Sequence, residues 1–266
     1  MFKLPWVTSR YGRGGAHAAA LGGTPAAPQV TRESDIIHWW KFDDGSGSEA
    51  TDSVGTAHLD ANGGADWAGT SNALFGDAGQ GDGYLDSWRV ADEFNFNNAA
   101  YTMTGWFYPT RNNKGTYYST AWSIDTSIGL SSPGPMLSWS GVTDADDNYF
   151  KFTQVKHPSG WISATSTNAL TINNWYFIAT AWDGSNVIKL YVGRKGTDSD
   201  PILYSATGAT SVKNTTSNDS IGLLTAFSAS YANNAAGRID DVRFYGDELS
   251  ADDIADIYNG GDGDIV

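Results

Sequence analysis

The sequence predicts an all-β protein: an antiparallel two-sheet sandwich with an extended N-terminal arm and one short C-terminal helix. Three observations carry that prediction. From about Ile36 onward, short β-branched and aromatic runs recur, separated by Gly, Asn, Asp, Ser and Pro. These runs alternate with a period of two, and no helical periodicity interrupts them before residue 250. Aromatic residues make up 13% of the 266 residues and charged residues only 17%, which supplies a large core.

The first element, residues 1–34, differs from everything after it. Between Met1 and Val30 there are three cations (Lys3, Arg10 and Arg13) and no acidic residue. Residues 12–28 are low-complexity Gly, Ala and Pro, too poor in apolar surface to offset the entropy of ordering. The segment reads either as a loose tail or as an arm that orders on a partner. In the second case Lys3, Trp6, Arg10, Tyr11 and Arg13 are the partner-binding residues, suited to an acidic or aromatic-rich surface.

Residues 35–266 form the sandwich. Strands are expected near 36–42, 83–88, 101–108, 117–124, 136–140 and 149–156. Six more fall near 161–165, 174–183, 186–193, 201–205, 219–226 and 237–245. Residues 149–156 and 187–192 alternate as a sheet with one wetted face should. In the last strand Val242 and Phe244 alternate with Arg243 and Tyr245, but Ile239 is out of phase, which predicts a bulge near Asp240 and Asp241. Ser250 is a natural N-cap with Asp253 at the capping-box distance, and Ile254, Ile257 and Tyr258 share a face. Gly260 and Gly261 end that helix, read here as a lid over one end of the sandwich. Residues 260–264 then read as a flexible acidic tail.

Charge and composition remove whole classes of function. Acidic residues number 30 and basic residues 16, a net charge of −14 that argues against a nucleic-acid partner. It argues equally against an anionic membrane surface, and no run approaches the 18 apolar residues of a membrane span. There is no Cys, hence no disulfide or thiol chemistry. Pro5 and Arg10 interrupt the apolar stretch that a secretory leader needs, so Sec export is not expected.

No catalytic constellation emerges, and the expectation is a protein that is not an enzyme. The four Glu residues (Glu33, Glu49, Glu93 and Glu248) form no pair on a strand, and the adjacent Asp43 and Asp44 point to opposite faces. His17, His38, His58 and His157 are scattered, without zinc spacing. Residues 144–148 alternate oxygen ligands, but Tyr149 stands where a calcium loop needs Gly, and a solvated loop is the reading. Aromatics remain. Trp39, Trp106, Trp175 and Trp182 sit inside strands and read as core. Trp88, Trp122, Trp139 and Trp161 fall beside loops and edge strands and are the candidates for stacking on a sugar; packing under a loop is the plainer alternative.

Five segments carry a family resemblance. They are residues 39–47 (Trp-Trp-Lys-Phe-Asp-Asp-Gly-Ser-Gly) with 52–55, residues 74–76 with 83–86, residues 101–109, residues 174–193, and residues 237–245 running into 249–254. In this order the chain resembles the laminin-G-like, concanavalin A-like jelly-roll domains over about residues 36–260. The resemblance implies a jelly-roll sandwich, a fold that hosts lectins, adhesion modules and enzymes alike. It also implies a structural Ca²⁺ held by Asp52 and Asp240, with the Gly55 carbonyl. The glycosidase motif of this fold has no match. The lyases of this fold use a Gln/His pair, and Gln154 and His157 are three apart, on opposite strand faces.

The functional expectation is a non-catalytic phage virion protein, a decoration or fibre-type subunit. Its arm would anchor it to a phage capsid or tail protein, and its sandwich would be displayed as a homo-oligomer for binding, including of cell-surface glycans. The alternative is a secreted or surface carbohydrate-binding module, reached by a non-Sec route.

Overall fold

A computed structural model describes residues 31–83, 86–94, 99–111, 119–125, 133–141, 148–155, 161–208, 219–226 and 235–264. The arm residues Lys3, Trp6, Arg10, Tyr11 and Arg13, the 144–147 loop and His157 lie outside them. The strands are β1 (Ile36–Trp40), β2 (Glu49–Ala50), β3 (Leu59–Asn62), β4 (Asp66–Trp67), β5 (Gly79–Asp82) and β6 (Ser87–Phe94). Then follow β7 (Tyr101–Pro109), β8 (Ser119–Asp125), β9 (Pro133–Gly141), β10 (Asn148–Val155) and β11 (Trp161–Thr165). The last are β12 (Tyr176–Trp182), β13 (Val187–Arg194), β14 (Ile202–Thr207), β15 (Asp219–Ala226) and β16 (Ala236–Tyr245), before helix α1 (Ala251–Tyr258). No described helix is long and apolar enough to cross a membrane.

Each sequence-predicted strand is present, the second displaced to begin at Ser87. The short strands β2 to β5 were not expected. They are rich in Gly, Ala, Asp and Asn, so their extended form is imposed by the strands they pair with rather than by propensity.

The strands form two antiparallel sheets. One runs β14-β13-β12-β7-β16-β5-β4, and β1 also pairs with β16; the other runs β11-β10-β9-β8-β15-β6-β3-β2. β16 changes partners along its length. Its first half pairs with β5 (Gly237 opposite Gly81) and its second with β1 (Trp39 opposite Arg243). Its register against β7 shifts between Asp240 and Arg243, and Asp241 adopts φ 46°. This is the bulge that the phase break of Ile239 predicts, at a residue type that tolerates the left-handed region.

Between the sheets lies a core that includes Trp40, Trp88, Phe107, Trp122, Trp139 and Phe150. The strand β7 is buried on both faces: Phe107 enters this core, and Trp106 enters a second cluster on the outer side of its sheet. There Ile254, Ile257 and Tyr258 of α1 pack on Trp106, Phe177 and Tyr245. The helix therefore covers a sheet face and not an end of the sandwich. Its capping box is formed: the Asp253 amide donates to Ser250 Oγ (3.1 Å) and the Ser250 amide to Asp253 Oδ2 (3.0 Å).

Residues 260–264 are not a free tail. A Cβ on Gly263 (φ +73°) would fall 2.6 Å from Phe75, so the segment lies flat on the aromatic cluster. Beyond it Asp264 pairs with Arg243, and its Oδ2 accepts from the Thr31 amide (2.7 Å). The reason is the fully buried guanidinium of Arg243, which must be compensated: Asp241 supplies one carboxylate at 2.9 Å and Asp264 the other.

Candidate functional site

A cavity of about 130 Å³ opens where the two sheets approach at one side of the sandwich. There β11 lies against β13 and β14. Phe150 of β10, Leu170 and Val192 form the apolar wall. Tyr176 of β12 and the half-buried Tyr204 of β14 add aromatic faces, and Phe150 meets Tyr176 edge-on at 5.4 Å. The polar wall consists of Asn168, Thr197, Asp198 and Arg194.

Local sequence explains how each group is held. Arg194 ends β13, and the turn after it closes through the Thr197 and Asp198 amides, both donating to the Arg194 carbonyl (3.1 Å). Gly196 supplies the left-handed residue at φ +70°. The Arg194 amide donates to Asp198 Oδ2 (2.7 Å), which fixes that carboxylate at the rim. Beneath the turn, the Tyr258 hydroxyl of α1 lies 2.9 Å from the carbonyls of Arg194 and Asp198. Burial raises the Tyr258 hydroxyl to about 12, so it stays a donor at physiological pH.

The guanidinium is aimed by an amide. Arg194 Nη2 donates to Asn174 Oδ1 (2.8 Å), while Asn174 Nδ2 donates to the Ile172 carbonyl (3.0 Å). Arg194 Nε is buried without a hydrogen-bond partner, and among the described residues no carboxylate lies in ion-pair range of this side chain. Across the cavity, Tyr176 fastens the 166–175 crossover: its hydroxyl accepts from the Thr171 amide (2.8 Å). The arrangement offers donors, one carboxylate acceptor and aromatic faces around one small space, as hydroxyl-rich ligands require.

Sequence reasoning did not single out Arg194, Asp198, Asn168 or Tyr204. The residues come from separate strands and one crossover, so no motif spacing joins them. The available signal was the scarcity of cations in an acidic chain.

The sequence-nominated tryptophans are placed differently from the expectation. Trp88, Trp122 and Trp139 lie in β6, β8 and β9 and are buried at 0%, 5% and 0% exposure. They are core residues, because each points inward from a strand that is not at the sheet edge. Trp161 alone is presented to solvent, 48% exposed at the start of the edge strand β11.

The calcium set divides. Asp52 Oδ1 accepts from the amides of Trp39 (3.0 Å), Val54 (3.1 Å) and Gly55 (2.9 Å). Its Oδ2 faces His38 Nδ1 (2.6 Å) and accepts from Ala57 (3.1 Å). Burial pushes this carboxyl up, but the His38 contact and the amides outweigh it and hold it at about 2. Its lone pairs are committed, so Asp52 does not fit a metal ligand. Gly55 has a local role instead, since a Cβ there would fall 2.6 Å from both Asp52 Oδ2 and His38 Nδ1.

Asp240 differs. Its Oδ2 accepts from Leu74 (3.0 Å) and Phe75 (2.9 Å), but Oδ1 is buried with no partner among the described residues. Burial, aggravated by the charges of Asp241 and Asp43, raises its carboxyl well above the usual range. An orphaned oxygen among like charges fits a cation. No three Asp, Glu or His side chains converge to hold one among the described residues, so any ion here would draw on backbone oxygens as well.

Comparison with known proteins agrees with the architecture. The family model described as the concanavalin A-like lectin/glucanases superfamily matches residues 79–255. Among solved structures, domain 4 of AbnA, a GH43 extracellular arabinanase from Geobacillus stearothermophilus in complex with arabinotriose, superposes with a TM-score of 0.60 at 19% identity; 84% of this chain and 97% of that chain are covered. The botulinum neurotoxin serotype D binding domain gives 0.59 at 16% identity, over 86% of this chain and 52% of that one. Trypanosoma rangeli sialidase, in complex with 2,3-difluorosialic acid, gives 0.59 at 13%, over 88% of this chain and 34% of that one. The chain thus spans about half of the neurotoxin domain and a third of the sialidase. At these identities the likeness is one of fold. No curated protein matches in sequence. With a sandwich of this order and a family match over most of its strands, the chain belongs to the concanavalin A-like lectin/glucanases superfamily.

Proposed function

We propose that the domain is a non-catalytic glycan-binding module displayed on a phage particle, a decoration or fibre-type subunit. The observation that carries the binding reading is the cavity between β10 and β14, where aromatic rings, hydroxyl-binding polar groups and an arginine share one wall set. Among the described residues its lining holds a single carboxylate, Asp198, whereas retaining glycoside hydrolysis needs two about 5–5.5 Å apart. The similar arabinanase domain was solved with arabinotriose, which supports sugar recognition on this fold. Gln154, the possible lyase residue, is fully buried rather than lining the cavity.

The particle reading rests on charge asymmetry. Residues 1–30 carry three cations and no acid, while the remaining thirteen basic residues face 30 acidic ones. A basic arm on an acidic body suits attachment of the arm to a different, acidic surface. Arg32, near the start of the described residues, is held by Asp35, Asp247 and Asp253 beside α1. Removing residues 1–30 tests this reading: the sandwich should fold and bind glycan but no longer attach to the particle. Attachment without the arm overturns it.

The calcium implied by the family resemblance is proposed at Asp240, with its orphaned Oδ1 as the ligand atom. A glycan array with the intact chain tests the binding reading, and the absence of any sugar ligand overturns it.

A further inference from the structure

We propose that the cavity receives one hexuronate unit of an acidic glycan, with the sugar carboxylate against the guanidinium of Arg194. The inference rests on the glycan-binding reading and adds the charge of the ligand.

Three observations carry it. The first is the state of Arg194. Three nearby cations are paired with carboxylates: Lys189 with Glu248 (2.6 Å), Lys195 with Asp262 (3.5 Å) and Arg243 with Asp241 and Asp264, whereas Arg238, like Arg194, meets neutral acceptors, the Gln80 amide and the Asn72 carbonyl. In a chain of net charge −14, Arg194 has among the described residues the neutral amide of Asn174 at Nη2 as its side-chain partner. A guanidinium whose one side-chain partner is a neutral amide lacks a charge complement, and a planar carboxylate is the ligand group that matches it.

The second observation is the remaining wall. A sugar acid carries ring hydroxyls as well as a carboxylate, and the cavity provides for both. Asp198 keeps one carboxylate oxygen beyond that held by the Arg194 amide, and Asn168 and Thr197 add neutral donors and acceptors. Tyr204 presents an aromatic face to the apolar side of a ring. A simple inorganic anion would leave these groups unused.

The third is size. A volume of about 130 Å³ is close to the roughly 150 Å³ of a cavity that takes one benzene ring, the scale of one six-membered sugar ring with its substituents toward the open mouth. The cavity therefore reads a single sugar unit rather than a long segment of chain.

The test is calorimetry of the full chain with methyl glucuronide and methyl galacturonide against methyl glucoside and methyl galactoside, which differ only in the carboxylate. The uronides should bind roughly tenfold more tightly at low salt, the difference between a charge-assisted and a neutral hydrogen bond. Arg194→Gln should abolish that preference, and Tyr204→Ala should weaken uronide and neutral sugar alike. Equal affinity for charged and neutral ligands on the unmodified chain overturns the inference but leaves the glycan reading standing. A preference that survives Arg194→Gln does the same. Binding of none of the four overturns both. The comparison on the unmodified chain decides the matter even if a variant fails to fold.

Discussion

Asn174 holds Arg194 from the side: its amide oxygen accepts from Nη2 at 2.8 Å while its amide nitrogen is tied to the backbone of its own crossover. The pair links the loop between the sheets to the end of β13. Replacing Asn174 by Ala frees the guanidinium and removes the hydrogen bonds to Arg194 and to the Ile172 carbonyl, which costs about 1–2 kcal/mol of stability. Sugar affinity should fall by roughly fivefold, because the released side chain must be ordered on binding. Unchanged affinity in a titration would show that the amide does not position Arg194.

Asp52 makes stability depend on pH. Its carboxyl is held at about 2 when folded, below its usual 3.8. A depressed folded value means that the stabilisation is complete above about pH 4 and is lost as pH falls toward 2. Denaturant titrations should therefore show a loss over that window, much reduced in Asp52→Asn. That variant should also be less stable at neutral pH by about 2 kcal/mol, because His38 and several amides lose a charged acceptor. Parallel curves for the two proteins would contradict this account.

Asp240 works in the opposite direction. A folded value raised above the unfolded one destabilises the fold progressively as pH rises through the unfolded value. Calcium should relieve this at neutral pH, raising the melting temperature of the native chain and not that of Asp240→Asn. A melting temperature indifferent to calcium and to chelator would remove the ion from the account.

The tryptophans separate by burial. Trp139→Ala should cost about 3–5 kcal/mol, the range for deleting a large core side chain. Trp161→Ala, at an exposed edge, should change stability by less than about 0.5 kcal/mol. Comparable losses in thermal melts would place Trp161 in the core.

Much of the fold was legible because strands announce themselves by alternation. The bulge at Asp241 was readable from the phase of Val242 and Phe244 against Ile239. The short strands β2 to β5 were not, since two to four residues rich in Gly and Asp carry no period. The tryptophans misled for a related reason. A Trp beside a loop in sequence is buried when its strand turns it to the inner sheet face, and which face that is follows from long-range pairing that no local pattern reveals. Asp52 and Asp240 were paired by the family resemblance as calcium ligands, but only the amides around them tell a saturated carboxylate from an orphaned one. The cavity was illegible altogether, because Arg194 acquires its meaning from the missing carboxylate around it.

The clasp between Thr31 and Asp264 has a mechanical consequence. Tension pulling along the residues that precede Thr31 does not first peel β1 from β16. It loads Asp264, and through it the buried guanidinium of Arg243 at the middle of the sheet. The arm therefore tugs on the centre of the molecule, and yielding under force should begin with release of Asp264 rather than with unzipping of an edge.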